Sequence, residues 1–321
     1  MKHFVLGDIG GTNCRLAIST EQGEILFQRN HSTHDMSSIV PAVEELCAEQ
    51  AGINVIAGAV AVAGPVHNGE ASLTNGTWSI AQNEFAFPCR VLNDLEAAAE
   101  GVLEINAQQC HMLMGQYPLS EQILDSSVVV GLGTGVGQGL IFNGRVYPTE
   151  GGHIDFAPFD SETQALCAWL RPQVGRIRME DLLSGMGIER IWTYVKNKYE
   201  SDLESSLDGD GPHPGSLLVN HAGEDLAAQK AVELYASIAG SHIGNLILQN
   251  LPKGGVWICG GVAQKMRPVL DTEYFRAAVI NKSPMQHLLT KNSIGVVTHP
   301  DVGLLGSLRA AKNVYEERSK R

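Results

Sequence analysis

Two segments far apart in the chain follow one pattern, in which an apolar strand, a glycine-rich turn and a second apolar strand succeed one another. The first is FVLGDIGGTNCRLAI at 4–18, and the second is VVVGLGTGVGQGLIF at 128–142. Each is followed by a turn signal, QGE at 22–24 and NGR at 143–145. The separation is far too long for a solenoid repeat, so the pattern predicts a duplicated domain. Chance similarity between two glycine hairpins is the alternative.

The length of the chain also favours two domains. It has 321 residues, more than one hydrophobic core usually serves. Predicted strands alternate with predicted helices, which indicates an α/β protein. We therefore expect a small domain of residues 1–110, completed by a C-terminal helix at 301–321, and a large domain of residues 111–300.

The charge balance argues against a nucleic-acid partner. The sequence has 35 acidic and 23 basic residues, a formal net charge of −12, whereas nucleic-acid phosphates demand a basic face. Small molecules are the better expectation for its ligands.

The cysteines and the apolar runs predict a cytoplasmic protein. Six cysteines are widely spaced without a C-x-x-C pair, which fits free thiols in a reducing compartment better than a disulfide framework or a zinc site. The apolar run before Gly7 is too short for a signal peptide. No stretch approaches transmembrane length, so no membrane partner is expected.

The first glycine turn has the features of a phosphate-binding loop. Its glycines let backbone N–H groups approach a phosphate closely, and its threonine adds a hydroxyl donor. Asp8, at the strand end, is suited to hold Mg²⁺ through the water shell that this ion seldom sheds. A plain glycine hairpin is the alternative for one such turn alone. The predicted phosphate-binding residues are Gly7, Asp8, Ile9, Gly10, Gly11 and Thr12.

A second glycine turn and a later glycine pair favour a nucleotide as the ligand. Two glycine hairpins together indicate a nucleotide ligand more strongly than one alone, because they can hold opposite sides of the same phosphates. The glycine pair after a predicted strand at 256–259 is a further place where backbone can approach a ligand, suited to the adenosine moiety. The residues are Gly133, Thr134 and Gly135 in the turn, and Gly260 and Gly261 after the strand.

Asn93 and Asp94 follow a predicted strand and precede a predicted helix. Catalytic groups at strand ends are well supported and still reach a ligand. The carboxylate of Asp94 is therefore a candidate general base, which would accept the proton of a hydroxyl that attacks a phosphorus atom. Helix capping by either residue is the alternative, since Asp and Asn are both excellent N-caps.

Four further polar residues are candidates for binding the hydroxyl groups of a sugar, which need both donors and acceptors. Glu150 and His153 stand on a glycine-rich turn, and their spacing is not that of an H-E-x-x-H zinc site. Glu180 begins a predicted helix, where the helix dipole alone already favours an acid. Asn75 lies in a predicted turn, and a purely structural role is its alternative.

A set of short motifs resembles the bacterial glucokinase family, within the larger group that contains hexokinase, actin and the Hsp70 ATPase domain. The motifs occur in the family's order along nearly the whole chain. They are GDIGGTNCRL at 7–16, AGP at 63–65, LTNGTW at 73–78, LND at 92–94, GLGTGVG at 131–137, EGGHIDF at 150–156, EDLLSG at 180–185 and CGGV at 259–262.

The resemblance implies a two-domain actin-like ATPase fold of the ribonuclease H-like type, with duplicated mixed sheets flanked by helices and a central cleft. It implies an ATP-dependent glucokinase that uses Mg²⁺ and phosphorylates D-glucose at the 6-hydroxyl, giving glucose 6-phosphate and ADP. Asp94 matches the family's catalytic base, and Asn93, Glu150, His153 and Glu180 match its sugar-binding residues. A homodimer is also what the resemblance suggests.

One departure from related kinases bears on metal binding. The related ROK sugar kinases usually carry a cysteine-rich zinc motif just after the E-G-G-H segment, whereas only Cys167 follows here. No zinc site is therefore expected.

Two other functions stay open at this stage. One is a kinase for another hexose, such as mannose, fructose or an N-acetylhexosamine. The other is a non-catalytic actin-like sugar sensor.

Overall fold

The computed structural model describes most of the chain as two compact units. The described residues are 2–49, 52–72, 78–199, 205, 207 and 214–320. One unit comprises residues 1–106, 145–148 and 299–321, and the other comprises residues 107–144 and 149–298. Among the described residues, no helix has both the length and the apolar character needed to cross a membrane.

The first stretch of chain forms a mixed α/β unit. Its strands are β1 (His3–Ile9), β2 (Asn13–Thr20), β3 (Ile25–Ser32), β4 (Val55–Val62), β5 (Val66–His67), β6 (Glu70–Ser72), β7 (Ser79–Ala81) and β8 (Cys89–Asn93). Its helices are α1 (Val40–Ala48), α2 (Asp94–Val102) and the 3₁₀ turns Thr33–Asp35 and Gln82–Glu84.

The middle stretch is richer in helices. Its strands are β9 (Cys110–Met114), β10 (Ser126–Leu132), β11 (Val136–Phe142), β12 (Arg145–Thr149), β13 (Val256–Cys259) and β14 (Ile294–Val297). Its helices are α3 (Ser120–Asp125), α4 (Ser161–Val174), α5 (Glu180–Leu183), α6 (Gly185–Tyr199), α7 (Gly215–His221), α8 (Leu226–Asn250), α9 (Gly261–Lys265), α10 (Arg267–Leu270), α11 (Glu273–Ile280) and α12 (Gln286–Leu289), with 3₁₀ turns at Ala107–Gln109 and Gly151–His153. The last helix, α13 (Val302–Ser319), belongs to the first unit.

The main sheet of the first unit has the order β3-β2-β1-β4-β8, and its central strand β1 is buried on both faces. Alternate residues of β1 enter two different cores: Val5 and Ile9 join the cluster that includes Leu46 of α1, and Phe4 and Leu6 join the one that includes Leu308 of α13. A strand covered on both faces reads as a continuous apolar run rather than as an alternating one, which is why the sequence of β1 looks uniformly apolar.

Two glycines let α13 approach α2 at backbone distance. A Cβ atom at Gly306 would lie 1.7 Å from the carbonyl oxygen of Ala97, and one at Gly101 would lie 2.1 Å from that of Val302. Only hydrogen atoms fit in these spaces. This close packing brings the start of α13 beside the end of β1, where a Cβ atom at Gly303 would be 3.7 Å from the carboxylate of Asp8.

The second large sheet has the order β12-β11-β10-β13-β14-β9 and repeats the pattern of the first. In each sheet an antiparallel hairpin, β1–β2 or β10–β11, is followed by two parallel strands beside its first strand. The antiparallel strand β9 is an addition next to β14. The predicted α/β class and the predicted duplication of mixed sheets flanked by helices are both confirmed.

Candidate functional site

The first glycine turn consists of the three residues between β1 and β2, namely Gly10, Gly11 and Thr12. Its shape is fixed by the Gly10 N–H, which donates to the Asn13 carbonyl at 2.8 Å, and by the Thr33 hydroxyl, which donates to the Gly10 carbonyl at 3.0 Å. Within the part of the chain that the structure describes, the N–H groups of Gly11 and Thr12 have no hydrogen-bond partner. Two adjacent free donors in a rigid turn are suited to binding an anion.

Gly7 and Ile9 lie within β1 and not in the turn itself. The side chain of Ile9 is fully buried. A Cβ atom at Gly7 would lie 2.8 Å from the Val60 side chain on the neighbouring strand. These two predicted phosphate-binding residues therefore support the turn through the packing of the sheet.

Asp8 lies in an ion-pair group that the sequence analysis missed. Asp8 faces Arg15 across the β1–β2 ladder, and the Arg15 guanidinium donates to its Oδ2 at 2.9 Å. The same guanidinium donates to Asp301, just before α13. Asp8 Oδ1 makes no hydrogen bond among the described residues, so half of the carboxylate stays available. The register of two antiparallel strands could have paired Asp8 with Arg15, but no local signal indicates Asp301.

Asn93 is a helix N-cap, as the structural alternative predicts. Its side-chain oxygen accepts from the Leu95 N–H at 2.9 Å, and its amide nitrogen donates to the Gly64 carbonyl at 2.9 Å. Asp94 is the first residue of α2, and its Oδ1 shares the Leu95 N–H at 2.9 Å. The cap thus holds Asp94 at the end of β8, where the residue is exposed to solvent.

The environment of Asp94 gives its carboxylate the strength of a useful base. Desolvation by the surrounding protein raises its pKa, the Leu95 N–H opposes this rise, and the negative charge of Asp8 adds to it, so that the pKa of Asp94 is about 6. A general base works best when its pKa lies near the operating pH. Asp94 combines a raised pKa with access to solvent, which marks it as the candidate base.

The second glycine turn, Gly133 to Gly135, lies between β10 and β11 and is tied to helix termini. The Gly185 N–H donates to the Gly133 carbonyl at 2.9 Å, and Glu180 Oε2 accepts from the Val136 N–H at 3.0 Å. These bonds explain why the helix predicted to begin at Glu180 ends at Leu183, before α6 begins at Gly185. In the described chain the N–H groups of Thr134 and Gly135 have no partner, so this turn too has free donors.

The glycine pair after β13 approaches the same turn. Gly260 has φ +103°, and a Cβ atom there would lie 2.4 Å from the Leu132 carbonyl oxygen, so only glycine fits. Beside Gly261 a Cβ atom would meet nothing within 4 Å. The pair thus combines close strand packing with open space next to the end of β10.

The structure brings together Glu150, His153 and Glu180, the candidate sugar-binding residues of the second unit. His153 Nε2 lies 3.8 Å from Glu150 Oε2. Arg178, which the sequence analysis did not identify, connects His153 with Glu180. Its Nη1 lies 3.3 Å from His153 Nδ1 and 3.5 Å from Glu180 Oε1. The group presents two carboxylates and an imidazole, and so both acceptors and a donor.

Asp181 is the residue that holds Arg178 of this group in place. It is buried, and it accepts hydrogen bonds from Arg178 Nη2 at 2.9 Å and Arg190 Nη1 at 2.8 Å. Burial by itself raises the pKa of Asp181, but the hydrogen bonds and charge of Arg178, with the charge of Arg190, outweigh it and hold the pKa below its usual range. The anchor is therefore charged at neutral pH.

Two further expectations from the sequence concern Asn75 and a bound metal ion. Asn75 belongs to residues 73–77, which lie outside the described residues. Among the described residues, no group of three or more His, Cys, Asp or Glu side chains is arranged to hold a metal ion. A metal ion held by the described residues would thus have few protein ligands and many waters, which suits Mg²⁺.

Comparison with known proteins gives one family across the chain. The family model described as Glucokinase matches residues 5–314. A glucokinase of Nostoc punctiforme is 30% identical, over 97% of this chain and 99% of its own length.

Solved structures agree on the fold. The structure of a glucokinase from an Antarctic psychrotroph superposes with a TM-score of 0.83 at 23% identity, over 98% of this chain and 99% of the other. A ROK family glucokinase from Streptomyces griseus, solved in complex with glucose and AMPPNP, superposes with a TM-score of 0.65 at 23% identity, over 97% of this chain and 99% of the other. The actin-like ATPase fold is thereby confirmed.

Proposed function

This chain belongs to the glucokinase family, and we propose that it transfers the γ-phosphoryl group of ATP to the 6-hydroxyl of D-glucose, giving glucose 6-phosphate and ADP. The observation that carries the proposal is the placement of Asp94. An accessible carboxylate with a pKa of about 6 stands at a strand end, in the same unit as a glycine turn with two free N–H donors.

Asp94 is the general base of the proposed reaction. It accepts the proton of the 6-hydroxyl while the oxygen of that hydroxyl forms a bond to the γ-phosphorus and the bond between this phosphorus and the leaving oxygen of ADP breaks. The Asn93 cap holds the Asp94 carboxylate in place. Most Asp94 side chains are ionised at pH 7, because the pKa lies about one unit lower.

The two glycine turns bind the phosphates in this proposal. The free N–H groups of Gly11 and Thr12 in one turn, and of Thr134 and Gly135 in the other, donate to phosphate oxygens and stabilise charge as the phosphoryl group moves. The open space beside Gly261 supports placing the adenosine moiety near the end of β13.

Asp8 is the residue that would hold Mg²⁺. One oxygen of its carboxylate is engaged by Arg15 and the other is available among the described residues, which fits a contact through water. When bound, Mg²⁺ neutralises negative charge on the phosphates of ATP.

Each unit by itself contains residues that are proposed to bind sugar hydroxyls. Glu150, His153 and Glu180 supply acceptors and a donor, as their grouping in the second unit supports. Asn93 is proposed to join them on the basis of its position in the LND motif; its amide nitrogen donates to the Gly64 carbonyl, and its side chain also hydrogen-bonds the Asp94 carboxylate. Asn75 is proposed to join them on the basis of its position in the LTNGTW motif.

The cellular compartment and the oligomeric state of the enzyme are proposed on separate grounds. The six cysteines are all free thiols, which supports a reducing compartment such as the cytoplasm. A homodimer is proposed from the family resemblance alone.

A sugar panel tests the function directly. ADP release is measured with MgATP and equal concentrations of glucose, mannose, fructose and N-acetylglucosamine, and the product is identified by ³¹P–¹³C NMR. We expect the highest kcat/KM with glucose and a phosphate on carbon 6. A preference for another hexose would favour a different sugar kinase, and sugar binding without ADP release would favour a sensor.

A further inference from the structure

Arg178 is the residue on which the polar side chains of the second unit converge. Its Nη1 faces both His153 Nδ1, at 3.3 Å, and Glu180 Oε1, at 3.5 Å. Its Nε and Nη2 donate to the two oxygens of Asp181 at 3.0 and 2.9 Å. One guanidinium thus connects a buried anchor to two candidate sugar-binding residues.

The anchor fixes the orientation of the guanidinium. A planar guanidinium that donates two parallel hydrogen bonds to one carboxylate has little freedom to rotate. Asp181 in turn accepts from the Arg178 backbone N–H at 2.8 Å and from Arg190 Nη1 at 2.8 Å. The remaining nitrogen, Nη1, is therefore directed at a defined position.

Backbone hydrogen bonds hold His153 near that position. The segment that follows His153 pairs with the segment that precedes Glu180, through an antiparallel bridge between Asp155 and Arg178. Around this bridge the Met179 N–H donates to the Ile154 carbonyl at 3.0 Å, and the Phe156 N–H donates to the Ile177 carbonyl at 2.9 Å. The approach of Arg178 to His153 follows from this short ladder.

The contact determines which nitrogen of His153 carries the proton. A guanidinium only donates hydrogen bonds and is not deprotonated in proteins, so Nδ1 of His153 must present its lone pair to Arg178. The proton of the neutral ring then lies on Nε2. Glu150 Oε2, at 3.8 Å, is too far away to accept a hydrogen bond from Nε2, so within the described chain this N–H has no acceptor and can donate to a ligand.

We propose that Arg178 is a positioning residue that makes His153 a hydrogen-bond donor through Nε2 and holds Glu180 beside it as an acceptor, so that the two read neighbouring hydroxyls of the sugar. The inference rests on the proposed function for the nature of the ligand. The tautomer of His153 does not depend on the proposed function, because it is a property of the free protein.

The competing explanation is that Arg178 only stabilises the start of α5 through Asp181. Arg190 also binds Asp181, so a variant without the guanidinium keeps one partner for this carboxylate and is expected to fold. Arg178→Met keeps most of the aliphatic stem and removes the donors. Arg176→Met is the matched control, because Arg176 lies in the same segment, pairs with the exposed Asp155 at 3.0 Å and makes no hydrogen bond or ion pair with Glu150, His153 or Glu180.

The test combines a spectroscopic and a kinetic measurement on the full chain. With ¹⁵N-labelled histidine, the signals of His153 are assigned by their loss in His153→Gln, and the ¹⁵N shifts report which ring nitrogen carries the proton. We expect a proton on Nε2 in the wild type and a mixture of tautomers in Arg178→Met. The same variant should raise the KM for the hexose at least about tenfold and change the KM for ATP less than about twofold, whereas Arg176→Met changes neither.

Two results would overturn the proposal. One is a wild-type His153 that carries its proton on Nδ1. The other is an Arg178→Met protein that keeps both its tautomer and its hexose KM. If the wild type phosphorylates no hexose at all, the function proposed above fails, while the tautomer still decides the role of Arg178.

Discussion

The two glycine hairpins have the same topology but different surroundings. Near the first turn, Asp8 and Asp301 share the Arg15 guanidinium, and none of the three is hydrogen-bonded to residues 10–12. Directly after the second turn, the first residue of β11 is bonded to a carboxylate, because Glu180 Oε2 accepts from the Val136 N–H at 3.0 Å. A Cβ atom at Gly135 would lie 2.6 Å from that same oxygen.

This difference separates two ways of building a phosphate-binding turn. In the first unit the turn and the candidate base Asp94 are held by separate sets of hydrogen bonds. In the second unit the turn, Glu180, Arg178 and His153 form one connected network anchored on Asp181. We therefore expect changes in the first unit to affect single steps, and changes in the second-unit turn to affect hexose binding as well, through Glu180.

The largest expected effect comes from Asp94→Asn in the first unit. The amide can still accept from the Leu95 N–H, but it cannot accept a proton, so kcat should fall by about 10²–10⁴-fold. The KM values for hexose and ATP should change little, because no binding contact is removed. Steady-state kinetics and a melting curve check this, and a folded variant with near-native kcat would remove Asp94 from the role of base.

The next effect is on stability, and it tests the anchor of the second unit. Asp181→Asn leaves Arg178 and Arg190 facing a neutral amide in a buried position, which should cost about 3 kcal/mol of unfolding free energy at pH 7. Because the pKa of Asp181 is lowered in the folded protein, its stabilising contribution is present above the unfolded value of about 3.9 and is lost as the pH falls through the folded value.

Urea unfolding at pH 7 and at pH 3 measures this contribution. The stability difference between wild type and variant should shrink at the lower pH. An equal difference at both pH values would mean that packing, and not the charge of Asp181, accounts for the loss.

A smaller effect separates two glycines of the second turn. Gly135→Ala places its methyl group 2.6 Å from Glu180 Oε2, so the carboxylate must move, whereas the methyl group of Gly133→Ala meets only a carbonyl oxygen at 3.8 Å. Since one hydrogen bond to a charged group contributes about 1.5–3 kcal/mol, Gly135→Ala should raise the hexose KM at least about tenfold.

The comparison between the two alanine variants is the control. Gly133→Ala should raise the hexose KM clearly less than Gly135→Ala does, with both proteins equally stable to heat. Equal KM values would show that Glu180 and the turn act independently. That result would contradict the difference between the two hairpins described above.

Local patterns made the hairpins and the strand-end residues predictable from the sequence. A strand, a glycine turn and a second strand leave a contiguous signature, and so do the polar Asn93 and Asp94 between a strand and a helix. The capping alternative was correct for Asn93. Helix capping by Asn93 is compatible with a catalytic role for Asp94, because the N-cap residue is Asn93 and not Asp94.

Tertiary contacts account for what the sequence did not reveal. Arg15 meets Asp301 across a separation of 286 residues, which no local pattern records. Arg178 and Asp181 are three residues apart, but no motif in the sequence indicates that their side chains pair. The break after α5 occurs because the Gly185 N–H donates to the Gly133 carbonyl at 2.9 Å, a partner outside the helix.

The pH dependence of the reaction tests the central claim, that the first unit supplies a base with a pKa of about 6. The measurement is kcat/KM for the hexose, which reports the pKa of the enzyme before the hexose binds, for the wild type and for Asp94→Asn from pH 4.5 to 8.5. Ionised Asp94 is the active form, so we expect a wild-type plateau of kcat/KM above about pH 7 and a tenfold loss per pH unit well below about 6, with no such limb in the variant. A wild-type kcat/KM that stays constant down to pH 4.5, or the same acid limb in both proteins, would contradict this claim.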